Sequence, residues 1–229
     1  KLIAVSYFDL GDISMASLLG LYDEQYAEWS LGKLTMLKEI EFGLTSERKW
    51  FYPGYILDKD SSFDYKLKLG NMEYYTPAKR WAKIEKFNPD NTIGHDVRSS
   101  TQKLIHALEK EKIPNKPWLY PYFSMGYMGP WNAYFMRSPA PIELGHDLGG
   151  MMVTAYSTEE KAYSLFRIHP CPDGPQFLNL EASKEFSNSE EYLNHLYQIG
   201  DVILEHGTIE VLLDQIRTWR KKPNYLPPA

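Results

Sequence analysis

The stretch Tyr22–Lys66, YDEQYAEWSLGKLTMLKEIEFGLTSERKWFYPGYILDKDSSFDYK, decides the fold of this chain. It begins at the end of a predicted strand and continues into a helix that starts at Ser30. An aromatic strand follows, interrupted by Pro53–Gly54, and a loop closes on Tyr65–Lys66. A strand, a helix and a second strand in succession predict mixed α and β structure.

The start of the predicted helix has features that favour the binding of an anion. Ser30 lies at the N-cap position, where its hydroxyl can accept a hydrogen bond from a free N–H of the first turn. Gly32 leaves this turn without a side chain, and Lys33 adds a positive charge beside the other N–H groups. Two interpretations stay open: a phosphate-carrying acyl donor binds at this turn, or the helix is an ordinary capped helix that happens to include a glycine.

The predicted helix runs from Leu31 to Glu47 and has one apolar stripe that we expect to pack on the sheet. Glu39 and Glu41 leave two interpretations open. Either both side chains are solvated at the protein surface, or one of them faces a substrate amine or an arginyl side chain. The stripe consists of Leu34, Leu37, Ile40 and Leu44.

The run KWFYPGYIL at residues 49–57 is almost wholly apolar or aromatic, which predicts a strand covered on both faces. Pro53 and Gly54 interrupt it, because proline cannot donate to the ladder and glycine leaves a gap. Two interpretations follow: an edge strand or bulge, or a splay between neighbouring strands that admits an acyl group.

The chain before this stretch predicts a hairpin, and the chain after it predicts a second domain. Leu2–Asp9 and Ser14–Asp23 are rich in β-formers and flank a turn at Gly11–Asp12. The sequence NPDNTIGHD at residues 88–96 breaks the pattern, so we place a boundary near residue 90.

The second part predicts helices around a hairpin, with a packed irregular segment at Pro114–Gly145. The hairpin joins GGMMVTAYS and KAYSLFRIH through a turn at Thr158–Glu160. The tail at residues 221–229 is expected to fray. The predicted helices are Val97–Lys112, Ser189–Glu205 and Ile209–Trp219, the last capped by Thr208.

Composition excludes several classes of protein. The 229 residues carry a net charge of −5, which argues against broad nucleic-acid binding but allows a locally basic contact. The single cysteine, Cys171, excludes a disulfide framework within the chain and fits a reducing cytoplasm. His95, His146 and His169 lack the spacing of zinc ligands, so no metal site is predicted. No apolar run reaches the length of a membrane span.

One family has the same residue types in the same order and spacing. Residues 1 to about 87 resemble the C-terminal catalytic half of the aminoacyl-tRNA–protein transferases, which are arginyltransferases or aspartate/glutamate leucyltransferases. The chain departs from the family at residues 57–64, LDKDSSFD, where a Cys and a Lys-Met are common. The matching pieces are Tyr22–Asp23, Ser30–Lys33, Glu39–Glu41, Tyr52-x-Gly54–Tyr55–Ile56 and Tyr65–Lys66.

The resemblance implies an α+β fold with a GNAT-like mixed sheet and packed helices. Residues 1–90 would be the C-terminal half of a GNAT-like acyltransferase domain, and residues 91–229 an α+β extension, helical at its C-terminus, of no recognised type. Because the strand and helices that open such a domain are missing and the chain starts at Lys1, we expect upstream sequence in a longer protein.

The resemblance also implies a reaction. An amino acid would pass from aminoacyl-tRNA to the N-terminal amine of proteins that begin with an acidic residue, in the cytoplasm and without another cofactor. Arginine is favoured over leucine because Lys33 and Glu39 match the arginyl type. The basic residues of KRWAKIEK, Lys79–Lys86, form either an ordinary charged helix face or a contact with acceptor-stem phosphates.

The site residues implied by the resemblance fall into three groups. Backbone N–H groups freed by a splay at Pro53–Gly54 would bind the oxyanion, Tyr55 would orient the amine or relay a proton, and Lys66 would pair with the acidic acceptor. The catalytic group is Tyr55, Gly54 and Glu39; the donor-binding group is Ser30, Leu31, Gly32 and Lys33; the acceptor-binding group is Tyr22, Tyr65 and Lys66.

Two alternatives stay open. The first is a GNAT-like N-acyltransferase that uses a thioester, although Gly32 alone stands where a Q/R-x-x-G-x-G/A loop is expected. The second is a non-catalytic protein-binding module with residues 91–229 as its interaction surface. Serine-hydrolase, Walker and dinucleotide motifs are missing from the sequence.

We expect Tyr55→Phe to lower turnover and Lys66→Ala chiefly to weaken the use of acidic peptides. Loss of one charge-assisted hydrogen bond should cost about 1.5 to 3 kcal/mol. Steady-state transfer to peptides with acidic and neutral N-termini measures both effects. Equal activity of Lys66→Ala on the two peptides would rule out the acceptor role of Lys66.

Overall fold

The computed structural model describes residues 1–127, 134–171 and 191–228. The chain divides into two compact units, Lys1–Thr92 and Ile93–Ala229. The first unit and the second unit both combine helices with sheets, so the predicted mixed α+β class is confirmed. Within the described ranges, no helix combines the length and the apolar character needed to cross a membrane.

The first unit is built on a three-stranded sheet. Strand β1 (Ala4–Leu10) and strand β2 (Ser14–Tyr22) form the predicted antiparallel hairpin, with a shift in register between Tyr7 and Phe8. Strand β3 (Trp50–Tyr52) pairs with β2 in parallel and gives the order β1-β2-β3.

The helix between β2 and β3 forms as predicted but buries a different face. Helix α1 (Leu31–Thr45) follows a 3₁₀ helix at Glu24–Trp29. A Cβ at Gly43 would lie 3.8 Å from Met15 Sδ, an ordinary contact distance, so this side of α1 faces β2. The stripe predicted to pack on the sheet is therefore wrong: Leu34, Leu37 and Leu44 are exposed, and the buried residues of α1 are Leu31, Met36, Glu39 and Gly43.

Strand β3 is an edge strand, and the prediction of a strand covered on both faces is wrong. Trp50 and Tyr52 are both exposed, and pairing ends at Tyr52. Proline at position 53 has no N–H to donate, so the ladder stops there. The edge-strand interpretation of Pro53–Gly54 is the one that the structure has.

A second small sheet completes the first unit. Strand β4 (Glu73–Tyr75) pairs antiparallel with strand β5 (Trp81–Lys83). The basic run Lys79–Lys86 therefore lies on a turn and a strand, followed by a 3₁₀ helix at Ile84–Lys86, and the helix-face interpretation is wrong. Further 3₁₀ helices lie at Asp64–Lys68 and Pro89–Asn91.

The second unit has a five-stranded antiparallel sheet in the order β10-β9-β8-β7-β6. Helix α2 (Ile93–Lys110) precedes the sheet, helix α3 (Ile209–Arg220) follows it, and a 3₁₀ helix occupies Pro121–Tyr127. The strands are β6 (Lys116–Pro117), β7 (Ile142–Asp147), β8 (Gly150–Ser157), β9 (Ala162–Pro170) and β10 (Tyr197–Gly207).

Both faces of this sheet are covered. One cluster joins α2 and α3 to the strands through Leu108, Leu165 and Ile216, all fully buried. A second cluster contains Phe166 and Ile168 of the same strand β9. Because neighbouring residues of a strand point to opposite faces, the two clusters lie on the two sides of the sheet.

Sequence reasoning succeeded in part of the second unit. Helix α2, the hairpin β8–β9 and helix α3 are confirmed, and the Thr208 hydroxyl caps α3 by accepting from the Val211 N–H. The helix predicted at Ser189–Glu205 is wrong, because Tyr197–Gly207 is strand β10; residues 189–190 lie outside the described residues. Strand β6 and the first four residues of β7 fall inside the segment predicted to be irregular.

The C-terminal tail is tied down as far as Leu226, so the prediction that it frays is wrong. The Leu226 N–H donates to the carbonyl of His146 on β7 at 2.9 Å, and the Leu226 carbonyl accepts from the His146 N–H at 2.8 Å. A Cβ at Gly145 would lie 2.1 Å from the Leu226 carbonyl oxygen. Glycine at position 145 is therefore what lets the tail lie against β7.

A carboxylate on β7 joins three elements of the second unit. Asp147 accepts hydrogen bonds from Arg167 Nη2 on β9 at 2.7 Å and from Trp219 Nε1 on α3 at 2.9 Å. The Gly149 N–H donates to it at 2.8 Å. Burial raises the pKa of Asp147, but these hydrogen bonds and the Arg167 charge outweigh it and lower the pKa to about 2.

We expect Asp147→Ala to lower the free energy of unfolding by about 3 kcal/mol at neutral pH, because it leaves the Arg167 guanidinium, 12% exposed, without this partner. The folded-state pKa lies below the unfolded one. The stabilisation is therefore complete above a pH of about 4 and is lost as the pH falls through about 2. Urea unfolding at a series of pH values measures it.

The matched control is Asp214→Ala, since Asp214 forms an exposed pair with Arg217 on α3. Its effect on the free energy of unfolding should stay within about 0.5 kcal/mol. Equal losses for the two variants would contradict a structural role for the Asp147 pairing.

Candidate functional site

The site begins with Glu39, a buried carboxylate on α1. Its side chain lies on the face of the helix that packs inward, and the residue is 2% exposed. Neither carboxylate oxygen has a hydrogen-bond partner among the described residues. Burial of an unpaired polar group is costly, and burial of a charge is costlier still. This carboxylate is therefore a candidate for binding a ligand.

Tyr65 lies in the electrostatic field of Glu39. It comes from the 3₁₀ helix Asp64–Lys68, which the loop after β3 brings against α1. Burial raises the pKa of the Tyr65 phenol, and the charges of Glu39 and Tyr22 raise it further. The phenol therefore stays protonated at neutral pH and keeps a proton to donate.

Lys66 follows directly and also faces Glu39. Burial lowers the pKa of its ammonium group, while the negative charge of Glu39 acts in the opposite direction. The ammonium nitrogen lies 4.7 Å from the centre of the Phe63 ring, a cation–π distance. Phe63 was not predicted to be a site residue. The one signal for it in the sequence was its position three residues before Lys66.

Gly54 and Gly32 lie against these two side chains. A Cβ at Gly54 would lie 3.2 Å from Lys66 Nζ, and the φ of +100° is one that L-residues rarely adopt. A Cβ at Gly32 would lie 3.7 Å from the Tyr65 hydroxyl oxygen, an ordinary contact. The end of β3 thus lies against Lys66, and the first turn of α1 lies against Tyr65.

The start of α1 differs from the prediction. Ser30 occupies the N-cap position, but its backbone is left-handed with φ 52°, and its hydroxyl caps no N–H among the described residues. The reason is that Ser30 also ends the preceding 3₁₀ helix. Its carbonyl accepts instead from Lys33 N at 2.9 Å and from Leu34 N at 3.1 Å.

The structure does not bring all ten predicted site residues together. It places six of them in one neighbourhood, which we call the Glu39 site: Tyr22, Gly32, Glu39, Gly54, Tyr65 and Lys66. Lys33 is exposed, and the Leu31 side chain is buried, which leaves the backbone of Leu31 for any contact with a donor. Tyr55 is 86% exposed, and its role stays a prediction.

The described ranges, residues 1–127, 134–171 and 191–228, contain no group of three or more His, Cys, Asp or Glu side chains that could hold a metal ion. The polar groups of the Glu39 site are a carboxylate, an ammonium and a phenol. This set suits the binding of charged organic groups and hydrogen bonding to a carbonyl oxygen.

We expect Glu39→Met to raise the free energy of unfolding by about 1 to 3 kcal/mol, because it removes a buried carboxylate that lacks a partner. Glu41→Met, on the exposed face of the same helix, is the control and should change the free energy by less than about 0.5 kcal/mol. Urea unfolding measures both variants. Destabilisation by Glu39→Met beyond the control would mean that the carboxylate holds the fold together.

Comparison with known families finds one match. The profile described as "Arginine-tRNA-protein transferase, C terminus" matches residues 1–76, which include the whole Glu39 site. This is about a third of the chain. The profile does not reach strand β5, helices α2 and α3 or the five-stranded sheet.

Curated relatives agree with this match over a similar span. Arginyl-tRNA--protein transferase 1 of Saccharomyces cerevisiae is 30% identical over 70 residues, which are 31% of this chain and 14% of the relative. Aspartate/glutamate leucyltransferase of Helicobacter hepaticus is 33% identical over 73 residues, 32% of this chain and 30% of the relative. The Campylobacter jejuni leucyltransferases are 32% identical over 66 residues, 29% and 28% of the two chains.

The chain thus spans a third or less of the length of these relatives. No solved structure matches the chain. The predicted resemblance to the aminoacyl-tRNA–protein transferases is confirmed for the N-terminal third of the chain, where residues 1–76 are similar to the C-terminal region of the arginine-tRNA-protein transferases.

Proposed function

We propose that this chain contributes the catalytic region of an aminoacyl-tRNA–protein transferase. The observation that carries the proposal is the buried Glu39 carboxylate without a hydrogen-bond partner among the described residues, beside Lys66 and Tyr65, inside the matched residues 1–76. The donor is arginyl-tRNA, and the acceptor is a protein whose first residue is acidic. The names of the relatives support transferase chemistry and include both arginyl and leucyl enzymes.

The state of Glu39 supports an arginyl donor. A buried carboxylate is stabilised by a cation that reaches both of its oxygens, and a guanidinium does this with two parallel N–H donors. The ammonium group of an aminoacyl ester presents a single charged centre, and a leucyl side chain presents none. Glu39 therefore binds the arginyl side chain of the donor in this proposal.

Lys66 supports an acidic acceptor. Its ammonium nitrogen lies next to Gly54 and faces into the Glu39 site. A carboxylate on the first residue of the acceptor would gain a charge-assisted hydrogen bond there, worth about 1.5 to 3 kcal/mol. A neutral side chain would leave the partly buried ammonium without this partner.

The proposed reaction is the aminolysis of an ester that is already reactive. The acceptor nitrogen attacks the ester carbonyl, the amide bond forms, the carbon–oxygen bond to the ribose breaks, and a proton passes from the amine to the ribose oxygen. An α-amine has a pKa of about 7.7 to 8.0, so a useful fraction is neutral. Positioning the two reactants can supply roughly 7 to 11 kcal/mol.

The developing oxyanion needs hydrogen-bond donors, each worth about 3 to 4 kcal/mol. The Gly54 N–H and the protonated phenol of Tyr65 are the donors that we assign to this role. No cofactor besides aminoacyl-tRNA is required by this chemistry. A GNAT-like arrangement of the complete domain and a cytoplasmic location, which the single cysteine fits, are parts of the same proposal.

The test offers labelled arginyl-tRNA and leucyl-tRNA to the full chain, with peptides that begin with Asp or with Ala. We expect transfer of arginine to the acidic peptide. Glu39→Gln, which removes the charge and keeps the size, should lower arginine transfer about tenfold or more. Glu41→Gln on the exposed face of α1 is the matched control and should leave transfer unchanged.

The outcomes separate the parts of the proposal. An equal loss of transfer from both donors in Glu39→Gln would mean that Glu39 binds the ammonium group, and the choice of arginine would then be wrong. Transfer from neither charged tRNA would contradict transferase activity of this chain.

A further inference from the structure

Three exposed aromatic rings form a contiguous row in the first unit. The ring centroids of Tyr52 and Trp81 are 5.7 Å apart, and those of Trp81 and Tyr75 are 5.2 Å apart. Each residue is between 40% and 56% exposed. We call this set, Tyr52, Trp81 and Tyr75, the aromatic row; its central member lies beyond the residues that match the family profile.

Positive charges surround the aromatic row. Lys79 and Arg80 lie on the turn between β4 and β5, and Lys83 ends β5. All three are exposed, and none forms an ion pair with another described residue. The acidic neighbours are Glu73, opposite Lys83 in the β4–β5 pairing, and Glu85. Cations outnumber carboxylates on this hairpin, whereas the whole chain carries a net charge of −5.

The turn that presents these charges is well defined. The Thr76 N–H and hydroxyl both donate to the Arg80 carbonyl at 2.9 Å, and the Lys79 N–H donates to the Thr76 carbonyl at 2.9 Å. Two members of the aromatic row, Tyr75 and Trp81, are directly opposite each other in the ladder that this turn closes. Two of the three rings, Tyr75 and Trp81, and the cations are therefore held on one small hairpin, while Tyr52 reaches the row from β3.

Exposed rings flanked by unpaired cations match the chemistry of an unpaired nucleic-acid strand. Bases that are not in a duplex stack on aromatic side chains, while neighbouring Lys and Arg side chains neutralise the phosphates. An apolar protein segment would cover the rings equally well, but it would leave Lys79 and Arg80 without a counter-charge among the described residues. Charge complementarity thus favours the nucleic acid.

The aromatic row lies next to the Glu39 site. Tyr52 precedes Gly54 by two residues, so their Cα atoms are at most about 7 Å apart. Gly54 in turn contacts Lys66 of the site. A nucleic-acid strand that stacks on the aromatic row therefore ends close to the residues that bind the donor ester in the proposed function.

We infer that the aromatic row, with Lys79, Arg80 and Lys83, binds unpaired nucleotides of an RNA strand by stacking and phosphate contacts. Because the proposed donor is a charged tRNA, the RNA is the unpaired 3′ end of that donor; this identity rests on the proposed function. The stacking surface itself rests on the geometry of the hairpin.

The experiment measures the affinity of the full chain for a short fluorescent unpaired RNA oligonucleotide and for a blunt-ended RNA duplex of equal length. We expect the unpaired strand to bind more tightly. Trp81→Ala should weaken its binding on the order of tenfold, because stacking on one base is lost. Trp81→Phe should keep most of the affinity, since the ring remains.

The control is Trp29→Ala, which removes another exposed tryptophan of the first unit that contacts Tyr26 and not the aromatic row. Its RNA affinity should equal that of the unaltered chain. Arg80→Ala should weaken binding and reduce the salt dependence of the affinity, by roughly 0.7 in the log–log slope for one lost phosphate contact to a single strand. Circular dichroism checks that each variant is folded.

Several results would overturn the inference. One is unchanged RNA affinity in folded Trp81→Ala, and another is equal affinity for the duplex and the unpaired strand. A fall in melting temperature of Trp81→Ala with unchanged RNA affinity would mean that the ring serves packing alone. Transfer by Trp81→Ala with an unchanged KM for charged tRNA would refute the tRNA contact and leave the proposed function intact. Trp81-dependent RNA binding without any transfer would uphold the stacking surface and refute the proposed function.

Discussion

The packing of one face of α1, which buries the Glu39 carboxylate without a hydrogen-bond partner among the described residues, is the constraint on which the first unit depends. Glu39 shares the buried face of α1 with Met36 and Gly43, and α1 packs on β1 and β2. The helix cannot rotate to hydrate the carboxylate without losing this packing. Packing, rather than hydrogen bonds with other described residues, therefore holds the carboxylate in place, at the cost of burying a polar group.

The two units differ in how they are held together. Among the described residues of the first unit, the buried apolar side chains are Met15, Leu31 and Met36, whereas the second unit packs apolar clusters on both faces of its sheet and ties β7, β9 and α3 together at Asp147. Regions with few buried contacts open more readily than well-packed ones. Amides of the first unit should thus exchange with solvent faster than those of β8 and β9, and the unit that carries the candidate site is the one with the greater freedom to adjust around a substrate.

The structural features that were predictable from the sequence are those set by local residue pattern and by the spacing shared with the family. The β1–β2 hairpin and helix α1 followed from residue type and turn position, and the fixed offsets among Gly32, Glu39, Gly54 and Lys66 anticipated a shared neighbourhood. The buried face of α1 was not predictable in this way, because it includes Glu39 and Gly43, which a count of apolar residues passes over. Strand β10 was missed because its state is set by pairing with β9, a tertiary interaction that outweighs local helix preference.

Strand β3 has a consequence for how molecules of this protein meet one another. An exposed edge strand offers free N–H and carbonyl groups to any other extended chain, and long, flat, apolar edges are the usual seeds of aggregation. Here the edge is three residues long and is followed at once by Pro53 and by Gly54, whose φ of +100° turns the backbone out of the extended conformation. A second chain would find too short a ladder to pair with at this edge, so the same glycine that contacts Lys66 also disfavours pairing of another chain along β3.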